Sequence, residues 1–377
     1  MHPGGEGRAL SARFIASPRF ASRGYGRNHP LAIPRVALAH QLARACGLLE
    51  EGEYLEARCA SEFELAAFHD PGYVAALRRA ERAGAVAQDD RARYALGTLE
   101  NPWFADVYTR PATAAGGSVQ AAEEALAGRR AFNPAGGMHH ARRDRAQGFC
   151  YLNDNVLGIL RLRAAGLRVL YLDLDAHYPD GVAEALRGDP QVLVVSLHMD
   201  TAYAYPKAGG GLDDPDVVNL PLPRGTNDAE YLHAFDALWP RALARFAPDA
   251  VMLQAGSDAI APDPLGKLAL STQGFLAAVA RVVADAPRLA VTGGGGYHPL
   301  LVARAWTGVW ALLAGRPLPE PMPDAASALL AAVDWQHEEE WVGPWMFGSF
   351  RDPAPAATIR PGLRELAARA ARHPRLA

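Results

Sequence analysis

Four short runs of this 377-residue chain are almost continuously apolar, and each runs into Gly, Asp or Ser: 168–175 (RVLYLDLD), 191–198 (QVLVVSLH), 249–256 (DAVMLQAG) and 288–295 (RLAVTGGG). Such runs fit strands covered on both faces, and strands of that kind lie in parallel sheets. Between them stand Ala/Leu-rich segments of helical character at 114–128, 152–165, 227–246, 271–285 and 300–314. Strand and helix alternate, so the expected class is α/β, with one open parallel sheet flanked by helices. The length would allow two average domains, but α/β sheets often exceed that size as one body. A single domain over 1–377 is expected, with a helical tail from about 355 in which 363–377 is a terminal helix with a frayed end. No internal repeat is visible.

Half of the residues are hydrophobic and 21% are charged, a balance that supports a large core and excludes wholesale disorder. A net charge of −3 leaves no basic footprint for direct nucleic-acid binding and no polybasic patch for a membrane surface. The three cysteines, Cys46, Cys59 and Cys150, lack Cys-Xaa-Xaa-Cys spacing and cannot all pair, which argues against a disulfide framework. The start, MHPGGEGRALSARF, has no apolar core of signal-peptide length, and no window reaches membrane-spanning length. A cytoplasmic protein is expected.

The chemistry collects in the loops that follow the apolar runs, where open parallel sheets bind their ligands. In YLDLDAH, Asp173, Asp175 and His177 alternate, so an extended backbone aims all three to one side. Burying them is costly unless they are satisfied, and a divalent cation satisfies Asp175 and His177 together. A catalytic zinc takes three protein ligands and leaves one position open to water. Asp258, in LQAGSDAIAPDP, is the candidate third ligand, although Asp at such a place equally often caps a turn. Two Asp oxygens and one His nitrogen suit zinc or ferrous iron. His139 and His140 sit in a Gly-rich loop, NPAGGMHHARRDRAQGFCYLND, and Asp173 and Asp180 are placed to orient one imidazole each, which would divide base and acid roles between them. Tyr297, in TGGGGYHP, follows glycines that lack a phosphate-loop context, and its phenol is suited to donate to an oxyanion beside the metal.

Taken in order, GRNHPLAIPR, YALGTLENP, AFNPAGGMHHARRDRAQGFCYLND, YLDLDAHYPDG, VVSLH, LQAGSDAIAPDP and GGGGYHPLLVARAW resemble the zinc-dependent histone deacetylase superfamily, most closely its bacterial histone-deacetylase-like and acetoin-utilisation proteins. The likeness runs along nearly the whole chain. It implies an arginase/deacetylase-like sheet, with Asp175, His177 and Asp258 as metal ligands and His139 and His140 as tandem catalytic histidines. Asp173 and Asp180 would be their partners, and Tyr297 the transition-state tyrosine. It further implies a tunnel for an acyl-lysine stem walled by Gly148 and Phe149, with Tyr205 and Gly295 also lining the substrate site and Glu100 as a rim carboxylate. An inner potassium site is implied at Asp173, Asp175, His177, Ser196 and Leu197, and an outer one near Leu186, Asp189 and Val192.

Two positions depart from that pattern. The run His177-Tyr178-Pro179-Asp180-Gly181 replaces a second His and a small residue, and the proline removes a backbone donor just ahead of Asp180. Tyr205 stands where a second Phe of the tunnel wall is usual. The activity implied is metal-assisted hydrolysis of an N-acyl amide, acetyl-lysine in proteins, to free amine and acetate. The alternative substrate is a small acylated amine of the acetylpolyamine type. Two rivals are a scaffold that binds acyl-lysine without hydrolysing it and a binuclear manganese hydrolase of the arginase type.

Overall fold

The computed structural model describes residues 11–22, 24–26, 29–335, 341–353 and 357–377; Arg27 and Asn28 of the GRNHPLAIPR motif and the first ten residues of the chain lie outside it. The strands are β1 (Ala12–Ala16), β2 (Tyr54–Glu56), β3 (Arg130–Asn133), β4 (Val169–Asp173), β5 (Val192–Met199), β6 (Val217–Leu222), β7 (Ala250–Gln254) and β8 (Leu289–Thr292). They form one parallel sheet in the order β2-β1-β3-β8-β7-β4-β5-β6. The expected α/β class is observed.

Alternation along the strands explains why both faces are covered. Leu170 and Leu172 of β4, Val195 of β5 and Leu253 of β7 enter one apolar core, while Val169, Tyr171, Val194 and Met252 enter the other. Helices Thr109–Leu126 and Asp154–Ala164 pack over one face, and Thr272–Asp285 and Pro299–Ala314 over the other.

The register aligns the last residues of four central strands. Asn133 pairs with Thr292, Thr292 with Gln254, and Gln254 with Asp173, so a fully buried polar row lines the carboxyl edge. Between β4 and β7 the chain path reverses, because β4 leads outward to β5 while β7 leads the other way to β8. Ligand sites of open sheets form at such a switch point.

Several expectations need correction. The strand after Arg168 stops at Asp173, so Asp175 and His177 stand on the loop beyond it. Extended geometry nonetheless persists, because Leu174 N still bonds the Gln254 carbonyl (3.1 Å) and Leu174 and Ala176 both enter the core. The segment read as one loop, 199–226, contains β6, and β1 to β3 together with helix Arg35–Ala45 were not anticipated. The final helix is Pro361–Ala370, and the residues after it are tied down instead of frayed: His373 Nε2 lies 2.6 Å from the Asp214 carbonyl and Leu376 is buried. Cys46, Cys59 and Cys150 are free thiols.

One core residue links this packing to the carboxyl edge. Trp306 is wholly buried, stands edge-on to Phe132 and donates Nε1–H to the Ala255 carbonyl at 3.0 Å, just past β7. Trp306→Ala opens a cavity and orphans that carbonyl, so denaturant unfolding is expected to show a loss of about 3–5 kcal/mol.

Candidate active site

Past β4 and β7 the backbone delivers three buried groups to one point. Ligand atoms of Asp175, His177 and Asp258 lie within 4.8 Å of one another, and among the described residues no other His, Cys, Asp or Glu group of that kind occurs. His177 Nδ1 is 2.9 Å from Asp258 Oδ2 and 3.1 Å from Asp175 Oδ1. Each carboxylate is also held from behind. Gly295 N donates to Asp175 Oδ2 (2.6 Å), and Ala176 N donates to Asp258 Oδ1 (2.8 Å). A side chain at residue 295 would place its Cβ 2.1 Å from Asp258 Oδ2, so only glycine lets the backbone come this close.

The electrostatics of the trio invite a cation. Burial, and then the charge of Asp175, push the Asp258 carboxyl up to about 6. Burial would lower the proton affinity of His177, but Asp258 and Asp175 overcome it and hold that affinity well above the ordinary value. Two oxygens and one nitrogen converging in a dry pocket are the donor set of a zinc or ferrous site. A pair of metals would need more ligands than this trio supplies.

Beside the trio, the two imidazoles face each other, Nε2 to Nε2, at 3.1 Å. His139 Nδ1 is 3.0 Å from Asp173 Oδ2, and His140 Nδ1 is 2.7 Å from Asp180 Oδ1. The Tyr178-Pro179 departure therefore leaves Asp180 directed at His140: Pro179 caps helix Asp180–Ala185, and the buried Tyr178 ring packs 5.0 Å from His198. The two rings have opposite proton affinities. Burial opposes protonation of His139, yet Asp173 and Asp175 raise it to about 9. Burial and the neighbouring His139 push His140 down to about 4, against the pull of Asp180.

Tyr297 is half-buried, its ring edge-on to His177 at 6.4 Å and to Phe149 at 6.2 Å. Burial and the nearby Asp258 and Asp175 hold its proton well above the usual range, so it stays a donor. Gly148 has φ +56°, and a Cβ there would meet the His140 ring at 2.5 Å; Phe149 follows at φ +68°. Tyr205 stands edge-on to His140 at 4.8 Å. Glu100 accepts from Gly148 N at 2.8 Å, and burial together with Glu100 raises the proton affinity of Tyr205, so Glu100 acts on both residues. The cavity between these groups is small, lined by Leu31, Met138, His139, His140, Phe149 and Tyr297 among others.

Of the remaining expected positions, Ser196 is in register with Asp173, and Leu197 follows it with its side chain in the opposite core. Leu186, Asp189 and Val192 lie at the other end of the sheet, around the start of β5.

Several residues of the site were missed. Gln254 Nε2 is 3.1 Å from both Asp175 Oδ2 and His139 Nδ1. Tyr171 donates its hydroxyl to Asp173. Arg142 (2.7 Å) and Gln147 both donate to Asp180 Oδ2. Asp263 accepts from Tyr297 N at 2.7 Å, and Arg35 donates to the carbonyls of Gly294 (3.0 Å) and Gly296 (2.7 Å). For Tyr171 a signal existed, since it shares a strand face with Asp173, and Gln254 ends the apolar run that leads to Asp258. Arg35 lies far away in sequence; it closes the GRNHPLAIPR motif, which carried the resemblance but pointed to no role for it.

The family model for the histone deacetylase domain matches residues 29–313. The chain belongs to the histone deacetylase family. It is 38% identical over 301 residues to histone deacetylase 8 of Xenopus tropicalis, covering 77% of this chain and 80% of that one. It is 31% identical over 373 residues to the acetoin utilization protein AcuC of Bacillus subtilis, covering 90% of each. The crystal structure of a histone deacetylase homolog from Aquifex aeolicus superposes with a TM-score of 0.92 at 38% identity, over 96% of this chain and all of that one. Histone deacetylases are metal-dependent amide hydrolases acting on acetylated substrates, and this chain is a deacetylase of that family.

Asp258→Asn removes a charged oxygen from the trio and is expected to abolish tight binding of one divalent ion per chain in calorimetric titrations with zinc. For the parent, the same titration is expected to weaken as pH falls, first because His177, whose proton affinity is raised, must lose its proton to bind, and further through about 6, where Asp258 takes up a proton and its neutral carboxyl becomes a poor ligand.

Proposed function

We propose that this deacetylase hydrolyses the amide of acetyl-lysine side chains in proteins, with Asp175, His177 and Asp258 holding one zinc or ferrous ion. The reading rests on one observation: the His139–His140 pair and Tyr297 line one small cavity, and the trio stands directly behind it, with the cavity-lining Gly295 donating to Asp175 and the His177 ring edge-on to both His140 and Tyr297. A divalent ion held there supplies a Lewis acid that polarises the acyl carbonyl and acidifies a water molecule.

The protein's own groups do the rest. His140, neutral at physiological pH, accepts the proton of the attacking water and delivers it to the leaving amine as the C–N bond breaks. His139, held cationic by Asp173 and Asp175, supplies positive charge beside the oxygen that gains negative charge. Tyr297 donates its phenolic proton to that oxygen as a hydrogen bond, while Gly148 and Phe149, which line the cavity, and Tyr205, edge-on to His140, would flank a lysine stem. Gly295 lines this cavity and steadies Asp175, while Glu100 marks the rim where a substrate backbone passes. Asp173 and Ser196, buried and in register, would hold an inner potassium ion together with oxygens of Asp175, His177 and Leu197.

Tyr297→Phe deletes a single oxyanion donor and no ligand. Turnover of an acetyl-lysine peptide is expected to fall roughly 10²–10³-fold while the metal content stays that of the parent. Parent-level turnover in that variant would refute the role given to Tyr297, and faster turnover of acetylated polyamines than of acetyl-lysine peptides would refute the protein substrate.

A further inference from the structure

The oxygens implied as an outer potassium site do not fit a free ion in this chain. They lie at the end of the sheet opposite the metal trio, on the turn that leads into β5. The Leu186 carbonyl accepts from Asp189 N and the Asp189 carbonyl from Val192 N, both at 3.2 Å, so the turn closes on itself. The Val192 carbonyl accepts from Nη2 of Arg375 at 2.8 Å. Nη1 of the same guanidinium donates to the Asp216 carbonyl at 3.2 Å, one residue ahead of β6. One planar cation therefore bridges two main-chain oxygens at the starts of neighbouring strands, a geometry that the guanidinium fork fits and a lysine ammonium does not.

The segment carrying Arg375 is itself fixed in place. His373 Nε2 pairs with the Asp214 carbonyl at 2.6 Å, His373 Nδ1 accepts from Arg375 N at 3.2 Å, and Leu376 is only 2% exposed. Burial lowers the proton affinity of Arg375, and the carboxylates of Asp216 and Asp189 oppose that effect. Arg163 Nε stands 3.6 Å from Asp189, a second positive charge at this corner. A free cation would thus meet a guanidinium already hydrogen-bonded to the Val192 oxygen. Arg375 also lies beyond the residues 29–313 that match the family model, in the C-terminal segment of the chain.

We propose that the Arg375 guanidinium is a tethered cation standing in place of a free monovalent ion, pinning β5 to β6, and that this corner of the sheet takes up no potassium.

Rubidium serves as the probe, located by anomalous diffraction from crystals grown in rubidium chloride. In the parent, no rubidium is expected in contact with the Val192 and Asp216 carbonyls, whatever is bound near Asp173; a peak there overturns the proposal. In Arg375→Ala, one additional rubidium ion per chain is expected at those oxygens. The melting temperature of the variant should fall below the parent's in tetramethylammonium chloride and recover as potassium replaces it at constant ionic strength. If the variant neither gains the ion nor recovers with potassium, Arg375 is merely a packing residue and the replacement is refuted. Should Arg375→Ala fail to fold, the parent crystals alone still decide, and Arg375→Gln, which keeps a planar donor without the charge, provides the second melting comparison.

Discussion

Three aspartates without any exposure, Asp173, Asp175 and Asp258, crowd the carboxyl edge of the sheet, and the rest of the architecture answers to the need to satisfy them. Buried anions are tolerated only when hydrogen bonds or cations surround them. Here the donors come from every neighbouring element: Tyr171 from the strand itself, Gln254 from the next strand, the amides of Ala176 and Gly295 from the loops, and the imidazoles of His139 and His177. The polar row at the strand ends and the glycines at 256 and 295 are consequences of the same demand, since a Cβ at either glycine would come 2.1 Å from a carboxylate oxygen.

The same economy of charge separates the two histidines. Asp173 belongs to the negative cluster, so His139 is drawn to its protonated form. Asp180 stands outside that cluster, and part of its charge is taken up by Arg142 and Gln147, so its hold on His140 is too weak to overcome burial and the nearby His139. Environments that push two like groups apart in proton affinity give them different roles within one site. Pro179 does not disturb this arrangement, because it occupies the cap of the Asp180–Ala185 helix, where no backbone donor is needed.

The α/β class and the central strands were legible because a fully buried strand reads as a continuous apolar run, and β4, β5, β7 and β8 all do so. The outer strands were not: β2 has three residues, and β6 carries Asn219 and Pro221 inside a segment rich in turn residues. The end of β4 was overread because period-two alternation continues through Leu174 and Ala176 after the ladder has stopped. Among site residues, those whose type announces chemistry were visible in their motifs. Those that act by holding a neighbour, such as Arg35 on the glycine run and Asp263 on the Tyr297 amide, act across the fold and leave no local pattern.

That overread stretch carries a consequence of its own. From Asp173 to His177, alternate residues belong to the hydrophobic interior and to the charged pocket, so a single backbone path serves both. Neither set can be shifted without dragging the other. Evolution of such an enzyme toward a different acyl group is therefore steered away from the coordinating residues and into their surroundings, where Tyr205 can change in size and polarity without moving a member of the trio.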